Sequence, residues 1–100
     1  MESFAVLWSE AGLPAKAGKL ELEESALCFE GPGFVHRVFY EDIESVHVGR
    51  GGTERLAGRP SLVLDLAVGG PLRIGSLEGL GVLSELAERM GRLTATHLLV

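Results

Sequence analysis

The chain has 100 residues, of which 46% are apolar and 23% charged, and this composition excludes an intrinsically disordered protein. Nine basic residues against fourteen acidic ones give a net charge of -5, so we expect the molecule as a whole to repel nucleic acid and anionic membranes. The single cysteine, Cys28, allows no intramolecular disulfide, and the first apolar run, Phe4 to Trp8, is too short for a signal peptide or a membrane span, so we expect a cytoplasmic protein.

The first third of the chain alternates short apolar segments with turns. Phe4 to Trp8 is typical of a buried strand, because it is rich in β-branched and aromatic residues. Ala17 to Glu23 alternates leucine with charged residues, which indicates a strand with one face in water. Leu27 to Glu30 repeats the alternation until Gly31, so these two strands are predicted to form a hairpin. The same alternation points Cys28 away from its apolar neighbours, toward solvent or a second layer.

Two further strands, His36 to Tyr40 and Ser45 to Arg50, are predicted to meet at the two acidic residues between them, Glu41 and Asp42. Ile43 and Val46 are three residues apart, which predicts a short turn before the alternation resumes.

Residues 49 to 60 are too rich in glycine for regular structure and form the longest predicted loop. After it, Leu62 to Ala67 and Leu72 to Ile74 read as the last hairpin, with a glycine and proline turn between them.

The end of the chain predicts one amphipathic helix from about residue 76 to 91, followed by a tail from 92 to 100. Ser76 can cap its first turn with Glu78 beside it, and Gly91 is typical of a helix stop. At 100° per residue an apolar stripe covers one face and i,i+4 pairs of glutamate and arginine cover the other. The stripe comprises Val82, Leu83, Leu86, Met90 and Leu93, and the pairs are Glu85 with Arg89 and Glu88 with Arg92.

Two motifs accompany this order of seven strands and one helix. Gly18 to Leu22 reads Gly-x-Leu-x-Leu, and Tyr40 to Val46 reads aromatic-x-Asp-Ile-x-x-Val. The first is similar to a strand of the pleckstrin-homology-like (PH-like) superfamily, and the second resembles a corner of bacterial PH-like and GRAM-like domains. The resemblance covers nearly the whole chain.

The resemblance implies a mainly β fold, a PH-like barrel of about seven antiparallel strands capped by one C-terminal amphipathic helix. Residues 1–100 then form a single domain with its strands at about 4–74. A partly open sandwich with a trailing helix shares the same local patterns and remains an alternative.

Three arginines on the loop 49–60, Arg50, Arg55 and Arg59, are candidate anion ligands. Their guanidinium groups could cluster beside exposed backbone N–H groups. Glu54 lies among them. The competing interpretation is a solvated loop, or arginines that pair with Glu41, Asp42 or Glu44.

A second candidate anion site lies on the first hairpin. The resemblance implies that phosphate is held there by basic residues, and Lys16 and Lys19 match that pattern. Glu21 stands where the pattern has an arginine, so the motif is broken.

The residues that commonly perform catalysis or bind metals are scattered. The three histidines have no metal-ligand spacing, and Ser45, His47 and Asp65 form a triad only on paper, because no Gly-x-Ser-x-Gly sequence surrounds the serine. We therefore expect no enzyme activity, no cofactor and no metal.

We expect a binding module for a protein or peptide, or for a second copy of itself. PH-like domains often bind peptides between the helix and an adjacent strand, sometimes by strand addition. Self-association could use the apolar end of the tail, Leu98 to Val100, or an exposed strand. The alternative is an anionic lipid or small anion held by the arginine loop; nucleic-acid binding and membrane association are not expected.

Overall fold

A computed structural model describes residues 3–10, 13–49, 51, 56, 58–69, 71–78 and 80–98. Within these residues, seven strands precede one α-helix, and a short 3-10 helix joins the fourth strand to the fifth. The strands are β1 Ser3–Glu10, β2 Lys16–Leu22, β3 Ala26–Gly31, β4 Phe34–Phe39, β5 Ile43–Gly49, β6 Ser61–Leu66 and β7 Leu72–Ser76; the 3-10 helix is Tyr40–Asp42, and α1 is Leu80–Leu98. All seven predicted strands are confirmed, with bounds that differ by a few residues.

The strands form one antiparallel sheet in the order β4-β3-β2-β1-β7-β6-β5. The first strand lies at the centre, where Val6 pairs with Gly18 of β2 on one side and with Ser76 of β7 on the other. The sheet curls into a half-barrel, so that inward side chains from both of its ends share one core. Among the described strands β4 and β5 are the two edges, and the half-barrel stays open between them.

The core is closed on one side by α1, which packs on β5, β6, β7 and the 3-10 helix. Leu83, Leu86 and Met90 are buried, and Val82 and Leu93 pack partly buried beside them, so the predicted apolar stripe is confirmed. Each fully buried side chain of this size contributes roughly 1.5–3 kcal/mol by leaving water. In the described part of the chain, no helix combines the length and the apolarity needed to cross a membrane.

The predicted start of the helix at residue 76 is wrong, because α1 begins at Leu80. Ser76 is instead the last residue of β7, where pairing with Val6 keeps the backbone extended. Its hydroxyl accepts a hydrogen bond from the N–H of Glu78 at 3.0 Å, so it caps the turn before the helix.

The predicted end of the helix at Gly91 is also wrong, because α1 continues to Leu98 through most of the predicted tail. A helical glycine costs about 1 kcal/mol relative to alanine. Met90 and Leu93 pack on the core on either side of Gly91, and an ion pair of 3.1 Å between Glu88 and Arg92 spans it. These contacts outweigh the low helix propensity of the glycine. The apolar end of the tail, predicted as a self-association surface, includes Leu99 and Val100, which lie outside the described residues.

The irregular spacing of Ile43 and Val46 comes from a β-bulge. Ile43 pairs with Leu66 and Ser45 with Asp65, so two steps along β5 match one step along β6 and Glu44 is the extra residue. Bulges turn side chains out of the regular alternation, and Glu44 is exposed.

Candidate functional site

The two lysines of the first hairpin do not converge on one ligand. Their odd spacing on β2 places them on opposite faces of the sheet. Lys19 Nζ lies 2.7 Å from a carboxylate oxygen of Glu21 and 3.6 Å from one of Glu30, whereas Lys16 Nζ lies 5.3 Å from the centre of the Phe34 ring. The hydrogen bond between Lys19 and Glu21 raises the pKa of the lysine and lowers that of the glutamate. The charge of Lys19 is thus already compensated within the sheet.

Of the three loop arginines, Arg50 and Arg55 lie outside the described residues. Arg59 is exposed and belongs to a tight turn, in which the N–H groups of Leu56 and Arg59 each donate to the other's carbonyl oxygen, at 2.9 and 3.1 Å. The side chain of Leu56 is buried and faces Gly75 of β7. Leu56 therefore anchors the loop to the half-barrel. The loop leads into β6, and two strands, β1 and β7, lie between β6 and the strand β2 that carries the two lysines.

Ser45, His47 and Asp65 are near one another but not in the order of a triad. The hydroxyl of Ser45 donates directly to a carboxylate oxygen of Asp65 across the β5 and β6 pair. A nucleophilic triad places the imidazole between those two groups. Across the described residues, His, Cys, Asp and Glu form no group of three that could hold a metal ion.

An apolar cleft of about 240 Å³ lies between β4 and the turn that joins β6 to β7. Its lining is apolar apart from Glu10 and His36, whose Oε1 and Nε2 atoms are 3.5 Å apart. The apolar lining residues are Leu13, Val38, Leu66, Val68 and Leu72. Pockets for drug-sized molecules usually measure 300–1,000 Å³, so this cleft suits one or two aliphatic side chains better than a cofactor.

The walls of the cleft differ in exposure. Val38 and Leu72 are buried and form its base, whereas Leu13 and Val68 have 56% and 88% of their surface in solvent. Large exposed aliphatic side chains beside a hydrophobic base are a recurrent property of surfaces that bind other molecules. Sequence reasoning missed this cleft, because its residues come from four separate elements.

Beside the cleft, β4 presents an open backbone edge. This strand pairs with β3 and with no other described strand. Its inner face points His36 and Val38 into the cleft, and its outer face exposes Val35 and Phe39, at 56% and 45%. Charged residues and proline commonly protect an edge from pairing. The strand contains no proline, and its one arginine, Arg37, is paired with Glu23 on the outer face.

The outer face of the hairpin next to this edge is covered by charged side chains. Arg37 Nε donates to a carboxylate oxygen of Glu23 at 2.8 Å, which raises the pKa of the guanidinium group. Cys28 lies between Glu21 and Arg37 in the sheet and is fully buried. Of the two surroundings predicted for this thiol, solvent or a second layer, solvent is wrong, because long neighbouring side chains cover that face. Burial raises the pKa of Cys28.

An acidic corner, defined as Glu41, Asp42 and Glu44, begins two residues after the end of β4. All three side chains are exposed, and no ion pair joins them to a described basic residue. The predicted pairing with Arg50 or Arg55 lies outside the described residues.

Comparison with known proteins identifies a fold and no family. No family model matches the chain, and no curated protein matches it. The crystal structure of the C-terminal domain of an unknown protein from Leishmania infantum is similar, with a TM-score of 0.66 and 16% sequence identity. The match covers 90% of this chain and 82% of that one. At this identity the similarity shows a shared fold: seven antiparallel strands with one C-terminal helix.

Proposed function

We propose that the protein is a cytoplasmic, non-enzymatic module of PH-like type that captures an extended segment of a partner protein by strand addition to β4. The observation that supports this function most strongly is the position of the open β4 edge directly beside the apolar cleft. Neither feature alone defines a site, but together they offer hydrogen-bonding groups and side-chain pockets to the same peptide.

A strand added along β4 gains main-chain hydrogen bonds from the free N–H and C=O groups of the edge. Successive side chains of a strand point to opposite faces. Every second side chain of the added strand would therefore face the cleft next to His36 and Val38, and the others would lie beside Val35 and Phe39. The backbone supplies affinity and the cleft supplies selectivity for aliphatic side chains.

The same geometry favours β4 over the strand nearest the helix. The resemblance led us to expect a groove between α1 and its neighbouring strand. That neighbour is β5, against which α1 is already packed. An anion site at the lysines of β2 has less support, because Lys19 is paired with two carboxylates and Lys16 lies over an aromatic ring. The anion site on the arginine loop stays a prediction, because Arg50 and Arg55 lie outside the described residues.

Selection from a library of random ten-residue peptides displayed on phage tests the proposal. Peptides enriched on the immobilised protein are synthesised, and their affinity is measured by calorimetry for the wild type, for Val35→Lys and for the control Leu77→Lys. Leu77 is similarly exposed, at 52%, but lies after β7. We expect Val35→Lys to weaken binding about tenfold or more, since edge lysines oppose strand pairing, and Leu77→Lys to leave it unchanged.

Hydrogen exchange provides a second measurement that does not depend on the variants. Strand addition should slow exchange of the β4 amides that face away from β3. Failure to enrich any peptide, or protection confined to other strands, would show that the proposal is wrong. Light scattering over a concentration series identifies the other occupant: a dimer that Val35→Lys dissociates would mean that a second copy of this chain, not a peptide, adds to β4.

A further inference from the structure

The charge around the β4 edge indicates which kind of segment would bind there. We propose that the captured segment is basic, with alternate aliphatic side chains for the cleft and a lysine or arginine at the end that lies next to the acidic corner. This inference rests on the proposed strand addition, and it adds the chemistry of the partner.

The acidic corner is part of the same surface as the cleft. It begins at Glu41, two residues after the end of β4, so one end of a strand added along β4 would lie next to it. The carbonyl oxygen of Asp42 accepts a hydrogen bond from the N–H of Ala67 at 2.8 Å, and Ile43 pairs with Leu66. Leu66 and Val68 on either side of that N–H line the cleft. The corner and the cleft are therefore held together by backbone contacts.

The arginine of the edge is already paired, so the net charge near the edge is negative. Arg37 contacts Glu23, and Glu10 is a further carboxylate in the cleft beside the corner. The bulge in β5 adds the exposed carboxylate of Glu44 to the corner. With a net molecular charge of -5, an acidic segment would meet repulsion along the whole approach, whereas a basic one would be attracted.

The test compares what the wild type and two variants select from the same phage library. The corner variant is Glu41→Gln with Glu44→Gln. The control is Glu85→Gln with Glu88→Gln, which removes two exposed carboxylates of α1 and changes the net charge equally. We expect lysine and arginine to be enriched at one end of the peptides selected by the wild type and the control, and to return to library frequency for the corner variant.

Affinity measurements make the effect quantitative. The most enriched peptide is compared with a version in which its lysine and arginine residues are glutamine. Exposed ion pairs are weak, so we expect the glutamine peptide to bind the wild type with three- to tenfold lower affinity than the basic peptide. This difference in affinity should shrink at high salt, and it should be absent for the corner variant.

The outcomes separate this inference from the proposed function. Peptides that bind at β4 without an excess of basic residues, or a corner variant that selects the same basic peptides as the wild type, would show that the basic partner is wrong and leave strand addition standing. Equal losses in the corner and control variants would assign the attraction to net charge and also reject the inference. If no peptide is enriched at all, the proposed function itself fails.

Discussion

Tyr40→Phe is expected to change the sign of its effect on stability as the pH rises. Tyr40 is fully buried in the 3-10 helix, and its hydroxyl donates to the carbonyl oxygen of Glu23 at 2.7 Å. Burial, with a smaller contribution from the Glu23 carboxylate, raises the pKa of Tyr40 from 10.0 to about 12. It is the only tyrosine of the chain, so its ionisation can be followed alone.

The magnitude follows from the hydrogen bond and the pKa. Below pH 10 the phenol is neutral in both states, and the variant should be less stable by about 1–1.5 kcal/mol, because it lacks the hydrogen bond to Glu23. Above pH 10 the unfolded chain ionises first while the folded protein keeps the proton until about pH 12. The wild type then loses about 1.4 kcal/mol of unfolding free energy per pH unit, about 2.7 kcal/mol in all. The variant has no such proton and should become the more stable protein above about pH 11.

Urea unfolding followed by the fluorescence of Trp8, the single tryptophan, measures the free energy of unfolding of both proteins from pH 8 to 12. Their difference removes the contribution of all other titrating groups. A phenolate absorbance titration of the folded wild type gives the pKa directly. A constant difference across pH 10–12, or a phenolate that forms near pH 10 in the folded state, would refute the reasoning, because the hydroxyl would then be open to water.

Four further measurements test the packing. Gly18→Ala should destabilise the protein by roughly 3 kcal/mol or more, because the added Cβ would overlap the carbonyl oxygen of Glu30; normal urea stability would contradict the close approach of β2 and β3. Gly91→Ala, where a Cβ meets open space, should stabilise by about 0.5–1 kcal/mol, and a loss of helical circular dichroism would contradict a continuous α1. Leu86→Ala should cost about 2–5 kcal/mol in the same unfolding assay, and a cost below 1 kcal/mol would mean that α1 is loosely docked. The thiol of Cys28 should react slowly with Ellman's reagent at neutral pH and promptly in guanidinium chloride; prompt reaction of the folded protein would disprove its burial.

The strands were predictable because their residues alternate. Leu20 and Leu22 between charged residues have only one arrangement that buries the leucines, and a slip of one residue would expose both. Local spacing also revealed the irregularity at Ile43, although it could not distinguish a turn from a bulge. The stripe of α1 was predictable for the same reason, since a helical period of 3.6 places Leu83, Leu86 and Met90 on one face.

The helix ends and the cleft depend on contacts between distant parts of the chain. Ser76 has the properties of a helix cap, but its pairing with Val6 in β1 keeps it in the sheet. Cys28 lies on the predicted face, yet its burial depends on the long side chains of strands on both sides. The cleft brings Glu10 together with Val68, and no local pattern relates those positions. Each of these features depends on how distant strands pair in the sheet. No short stretch of the sequence specifies that pairing.

The central position of β1 in the sheet also determines when this protein can fold during its synthesis. A ribosome releases β1 before the other six strands and β7 after them, so the pairing of Val6 with Ser76 must wait until all seven strands have emerged. Until then β2, β3 and β4 can pair with β1, but its other edge has no partner and remains open to contacts with other nascent chains. Pairing between two strands so far apart in the sequence slows folding, whereas the other five strand pairs join neighbours in the sequence. Insertion of β7 between β1 and β6 would then join the strands β1 to β4 and the pair of β5 and β6 into one sheet.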